Sequence, residues 1–253
     1  SYDWESLSFD THTALCKISW IDKVRPYNNT FFYFPVPFIE KCEWNNKACL
    51  LSSSQKALPY FGKGLSDIGV PALDPFTIDE VVLDQGGLKI VFKGMTVTGA
   101  TKCKITNVER DIDEGYLIVE AECPIVVHGT YTASGAILSV PIEGNGPFLV
   151  ETGNLFISVK VGLTTVDGAD GQKHWKIGKA ETKYEVLGKA VLKFENLFNG
   201  DKSKADPINA LFEQNGKEIV HSVGGEIVDK VIEHVVDSIK GLTDKVPASD
   251  LEL

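Results

Sequence analysis

Across residues 76–198 the chain alternates apolar and polar positions in short runs separated by turn-forming residues. Leu88, Ile90 and Phe92 share one side against Lys89 and Lys93, and Leu117, Val119 and Ala121 repeat the pattern against Ile118, Glu120 and Glu122. Leu155, Ile157, Val159, Val161 and Leu163 extend it against Phe156, Ser158, Lys160 and Gly162, and Ala190, Leu192 and Phe194 close the series. Successive side chains of a strand point to opposite faces, so each run presents one apolar face. Residues 85–87, 113–115, 144–146 and 167–171, together with Gly188, read as the intervening turns, which gives hairpin-linked, antiparallel strands.

The period changes after Asn199, Gly200 and Asp201. Asp206 reads as a helix N-cap and Pro207 as the first helical residue. Ile208, Leu211, Phe212, Ile219, Val223, Ile227, Val231, Val235 and Ile239 then recur every three or four residues, and Val220, Val228, Ile232 and Val236 widen the stripe. A helix apolar over so much of its girth needs cover on several sides; continuous over 207–240, it would be roughly 50 Å long. Gly224 and Gly225 mark its weak point. A shorter amphipathic helix is read earlier from Leu50, Leu51, Ala57, Leu58 and Phe61, with Gly62, Gly64, Gly69 and Pro71 ending it.

These elements predict an α+β fold: a long C-terminal helix wrapped by a highly curved antiparallel sheet, with a short N-terminal helix. The 253 residues can bury a substantial core. A formal net charge of -10 and a pI near 5.0, with no basic run, argue against sequence-independent binding to nucleic acid or to anionic membranes. No apolar stretch is long enough to span a bilayer, so stable membrane insertion is not expected.

Five cysteines leave one odd thiol if two pairs form. Cys42 and Cys49 suit a small disulfide loop, which implies an oxidising compartment; two free thiols are the rival reading. Cys103 and Cys123 flank a hairpin near Asp113 with nearly equal arms, and a second disulfide and two buried thiols are equally open. Residues 1–34 fit poorly with the rest of the chain and read as an atypical, poorly ordered leader to a domain at 35–253. The leader shows no basic start, apolar core and small-residue cleavage site of a secretory signal. Cys16, the candidate odd thiol, and a glycosylation sequon at Asn28, Asn29 and Thr30 lie within it.

Several short motifs occur in a telling order: Lys41-Cys42 with Ala48-Cys49; Gly69-Val70-Pro71 with Leu73-Asp74-Pro75; His128-Gly129-Thr130-Tyr131 with Gly135; Pro141-Ile142-Glu143-Gly144-Asn145-Gly146; and Asn196-Leu197-Phe198-Asn199-Gly200-Asp201-Lys202. Each is weak alone. Together, over about residues 35–250, they resemble the insect takeout and juvenile-hormone-binding protein family. That resemblance implies a long helix in a strongly curved sheet, like half of the bactericidal/permeability-increasing and lipid-transfer proteins, enclosing an elongated apolar cavity. It also implies a secreted, monomeric carrier in haemolymph or another extracellular fluid. The cargo would be a hydrophobic small molecule such as a fatty acid, terpenoid, odorant, pigment or hormone-like lipid. The stretch 158–165 holds neither the cysteines nor the tyrosine of the hormone carriers, and Gln214-Asn215-Gly216 stands where the family often leads into a tryptophan. The takeout branch fits better than dedicated juvenile hormone transport. A secreted signalling protein with a filled core is the alternative.

The side chains expected along the helix–sheet interface, and lining any cavity, are Phe76, Ile90, Phe92, Leu117, Val119, Tyr131, Leu138, Phe148, Ile157, Val159, Trp175, Phe194, Phe198, Phe212 and Ile219. Tyr131, Thr96 and Thr98 are candidates to orient a polar head group. Catalytic chemistry finds no footing. The run 64–69 mimics a nucleophile elbow around Ser66, but its second glycine is one position late and no strand precedes it. His12, His128, His174, His221 and His234 lack metal-ligand spacing, and acidic pairs such as Asp111 with Asp113 read as solvated surface. No enzyme activity, metal or cofactor is expected.

Overall fold

The computed structural model describes residues 36–253; the leader with His12, Cys16 and the Asn28 sequon lies outside the described residues. Among the described residues, nine strands follow helix α1 (Lys47–Lys63). They are β1 (Phe76–Gln85), β2 (Leu88–Thr98), β3 (Lys104–Asp111), β4 (Tyr116–Cys123), β5 (Val126–Ile137), β6 (Val140–Thr152), β7 (Leu155–Asp167), β8 (Lys173–Val186) and β9 (Ala190–Phe194). The curved surface is built as two antiparallel sheets, of order β1-β2-β5-β6-β9 and β3-β4-β7-β8. Alternation dictates the inner face: Leu88, Ile90 and Phe92 of β2 are buried, while Lys89 and Lys93 are exposed.

One predicted turn is not a turn. Residues 144–146 lie inside β6, with Gly144 paired to Ala133 and Gly146 to Tyr131 of β5. Glycine serves close approach here: a Cβ on Gly144 would lie 2.7 Å from the Tyr131 hydroxyl and 3.0 Å from Leu197 Cα, and Gly144 bridges to Leu197. The true β5–β6 turn is Leu138-Ser139, both with positive φ (47° and 66°), which suits a two-residue hairpin loop but carries no glycine to announce it.

The C-terminal helix begins earlier than predicted. In α2 (Lys202–Val223) the N-cap is Asp201, whose side chain accepts from the Ser203 N–H at 3.1 Å, so Pro207 falls within the helix and Asp206 caps nothing. The positive-φ turn through Phe198, Asn199 and Gly200 aims the chain into this start. Helix α3 (Gly225–Thr243) follows after Gly224, the predicted weak point. The break is well supported. Gly224 donates to Val220 O at 2.8 Å, and the carbonyls of His221 and Ser222 accept from Tyr184 Oη (3.1 Å) and Gln85 Nε2 (3.2 Å). Helix α2 lies close on β9: a Cβ on Gly216 would come within 2.4 Å of Ala190 O.

Both cysteine pairs are disulfides, Cys42–Cys49 at the foot of α1 and Cys103–Cys123 between the lead into β3 and the end of β4. Asn46 caps α1 by accepting from the Cys49 N–H at 3.1 Å, and positive-φ Gly64 ends the helix. The last residues return to the first described ones. Leu253 N donates to Cys42 O, and Glu252 pairs with Arg110 and accepts from Trp175 Nε1 at 3.2 Å. Arg110 lies over the Trp175 ring at 4.7 Å.

Candidate functional site

Three cavities follow one another between the helices and the sheets. The first, about 80 Å³, is enclosed by Ile90 and Phe92 of β2, Ile142 of β6, and Phe212, Ile219 and Ile227 of the helices. The second, about 170 Å³, lies between Leu117 and Val119 of β4, Val159 of β7, and Val235, Val236 and Ile239 of α3. The third, about 260 Å³, lies under α1, between Leu50, Ser54 and Phe61 on one side and Trp175, Leu242 and Leu251 on the other. The first two share Ile125, Ile157 and Val231 as a partition; the second and third share Leu58, Leu73, Leu117 and Val119 among others. A larger space of about 500 Å³ between β8 and α3 is a different thing: its rim carries Glu226, Asp229, Lys230 and Glu233, which mark a solvated surface groove.

Ten of the expected lining residues border these cavities: Ile90, Phe92, Ile157, Phe194, Phe212 and Ile219 the first; Leu117, Val119, Ile157 and Val159 the second; Leu117, Val119 and Trp175 the third. Five do not. Leu138 stands at the hairpin tip, half exposed, because the turn ends the alternation one residue earlier at buried Ile137. Phe76 stacks on His234 at 4.1 Å, and Phe148 fills space between Phe92 and Phe194. Phe198 lies in the turn before α2, packed against the core but off the cavities.

Tyr131 is buried edge-on to Phe194, and its hydroxyl donates to Glu195 O at 2.7 Å, so no free head-group donor remains there. Burial pushes its phenol up to about 12. Thr96 and Thr98 border none of the three cavities. Conversely, Ile125, Ile142, Val231, Val235 and Ile239 line cavities although they are not among the side chains expected there. The last three belong to the helical stripe already visible in the sequence; nothing in that stripe says which members face a void.

Two polar clusters surround the third cavity. His174 is buried, with Nδ1 2.9 Å from the carbonyl of Thr243 and Nε2 3.0 Å from Asp170. Both partners are acceptors only, so the doubly protonated imidazolium satisfies them together. Burial opposes that charge, yet the bonds to Asp170 and to Thr243 O outweigh it and hold the His174 pKa above its ordinary value. The second cluster is Arg110 with Glu252 and Trp175, where burial lowers the guanidinium pKa. Ser66 is exposed in the turn after α1, and no group of three or more His, Cys, Asp or Glu able to hold a metal occurs among the described residues.

Comparison with known proteins agrees with this geometry. The family model described as haemolymph juvenile hormone binding protein matches residues 27–252. The crystal structure of Epiphyas postvittana Takeout 1 superposes with a TM-score of 0.82 at 30% identity, covering 85% of this chain and 99% of that one. A juvenile hormone-binding protein of Manduca sexta is 20% identical over 217 residues, 83% of this chain and 93% of its own. A candidate beta-carotene-binding protein of Schistocerca gregaria is 24% identical over 137 residues; the match spans 53% of this chain and about half, 55%, of that relative. The motif order, the helix-and-sheet architecture and the family match agree, and the chain belongs to the haemolymph juvenile hormone binding protein family.

Proposed function

We propose that this protein is an extracellular carrier of a hydrophobic small molecule, held non-covalently in the row of cavities between helices and sheets. One observation carries the reading: three carbon-lined voids share walls along α2, α3 and the inner sheet faces, where an ordinary interior is close-packed. Burying a ligand methylene there gains about 0.8 kcal/mol before association costs. The names of the Schistocerca and Manduca relatives, each given for the binding of a hydrophobic compound, support the same use. Two disulfides suit an oxidising, extracellular fluid such as haemolymph. No helix among the described residues is long and apolar enough to cross a membrane. We read the carrier as a monomer that needs no cofactor and performs no catalysis.

Lipid extraction and native mass spectrometry of the purified protein test this reading. The expected result is a co-purifying hydrophobic compound, or stoichiometric uptake of an added apolar fluorescent probe. An empty protein that takes up none of a panel of long-chain lipids would refute it.

A further inference from the structure

We infer that the cavities select an uncharged lipid and reject the ionised form of a long-chain acid; this rests on the carrier reading above. Among the described residues no lysine, arginine or histidine borders any of the three cavities. In the first, the single hydroxyl is that of Thr152, which donates to Ile125 O at 3.1 Å. The backbone of Gly224 is bonded in both directions, to Val220 O and from Ile227 and Val228 N–H. In the second, the only heteroatoms on the lining side chains are the sulfurs of the Cys103–Cys123 disulfide. A carboxylate placed in either would meet no cation and no side-chain donor free to bond it.

The third cavity is more polar, but its groups are engaged. Ser53 exchanges both its bonds with the Glu40 backbone at 2.9 Å, Trp175 donates to Glu252, and Thr243 donates to Lys240 O at 3.2 Å. The one acidic side chain on its wall is Glu40, which offers a lipid carboxylate no donor. The nearby cations are already paired, Lys56 with Glu40 at 2.7 Å and Arg110 with Glu252 under the Trp175 ring. What remains is the Ser54 hydroxyl, which makes no bond to another described residue. A lone neutral donor suits an ester, ketone or alcohol and does little for a full charge.

Desolvating an unpaired carboxylate is prohibitive, so an acid entering these cavities must do so protonated. With an ordinary carboxyl pKa of about 4.3, protonation at pH 7.5 weakens apparent binding by roughly 1000-fold. Below pH 7.5 that penalty shrinks about tenfold per pH unit, while an ester is unaffected.

The test uses the delipidated, full-length protein with hexadecanoic acid, its methyl ester and hexadecanol, each displacing a neutral fluorescent probe below its aggregation limit at pH 7.5 and 6.5. Ester and alcohol are expected to bind at least 100-fold more tightly than the acid at pH 7.5, with the acid gaining about tenfold at pH 6.5. Acid affinity equal to that of the ester, or independent of pH, would overturn the inference and leave the carrier reading standing. Failure of all three lipids to displace the probe, or of the probe to bind, would overturn both.

Discussion

Val231 belongs to the partition between the first and second cavities, with Ile125 and Ile157 across from it. Val231→Phe should thicken that partition and turn a three-chamber site into a two-chamber one. The first chamber holds about 80 Å³, room for roughly three groups of methylene size at the ~30 Å³ that a water molecule occupies. At about 0.8 kcal/mol per methylene, a ligand long enough to reach it loses about 2.4 kcal/mol, or roughly 50-fold in Kd. A ligand filling only the second and third chambers escapes that loss, since it never drew on the first. The assay is a chain-length series of n-alkyl methyl esters titrated against wild type and variant. In wild type, affinity should keep rising with length; in the variant it should reach a plateau about three methylenes sooner. Overpacking costs about 1–3 kcal/mol of fold stability, which a urea melt measures separately. A loss of equal size at every chain length, or an unbroken rise in the folded variant, would refute the continuous-row geometry.

Replacing Cys103 and Cys123 with serine opens a staple of sequence separation 20, and loop entropy predicts a loss of about 3 kcal/mol. The same change at Cys42 and Cys49, separation 7, should lose about 2.5 kcal/mol, so the first double variant should show the lower urea midpoint. Tyr131→Phe leaves the Glu195 carbonyl without its donor and should lower unfolding stability by about 1–2 kcal/mol in the same assay. His174 gives a pH signature. Its folded pKa is raised by Asp170 and Thr243 O, with Asp244 adding to the field, so its contribution is complete below the unfolded value near 6.5 and fades as pH rises through the folded value. The melting-temperature gap between wild type and His174→Gln should therefore be widest on the acid side and close toward alkaline pH; a gap that widens with pH would show the neutral ring to be the bonded form.

The strands were legible because a sheet with one buried face writes a period of two into the chain, as in β2. In β4 that period survives in the residue types but not in the burial, since every position before Cys123 is only half-buried: Leu117 and Val119 face cavities where packing partners would otherwise be. Glycine misled at residues 144–146, where it admits Leu197 and a tyrosine hydroxyl, and its absence concealed the turn at Leu138 and Ser139. The start of α2 was hidden by a competing Asp-Pro pair, while Asp201 holds the cap because the turn before it presents its carboxylate to Ser203. The cavity wall was legible only in part. Large aromatics stand out in a sequence, yet Tyr131 and Phe148 fill space behind the wall, and the aliphatic Val231, Val235 and Ile239 form it.

A core with rooms left in it has an unfinished stability account. Whatever fills the space beside β4 binds the folded chain and not the unfolded one, so a cargo at 100 times its Kd adds about 2.7 kcal/mol to the unfolding free energy. The loaded and empty proteins then differ in lifetime as well as in content. Proteases that act on opened chains would clear the empty form first, and the surviving pool would enrich itself in carriers that are carrying.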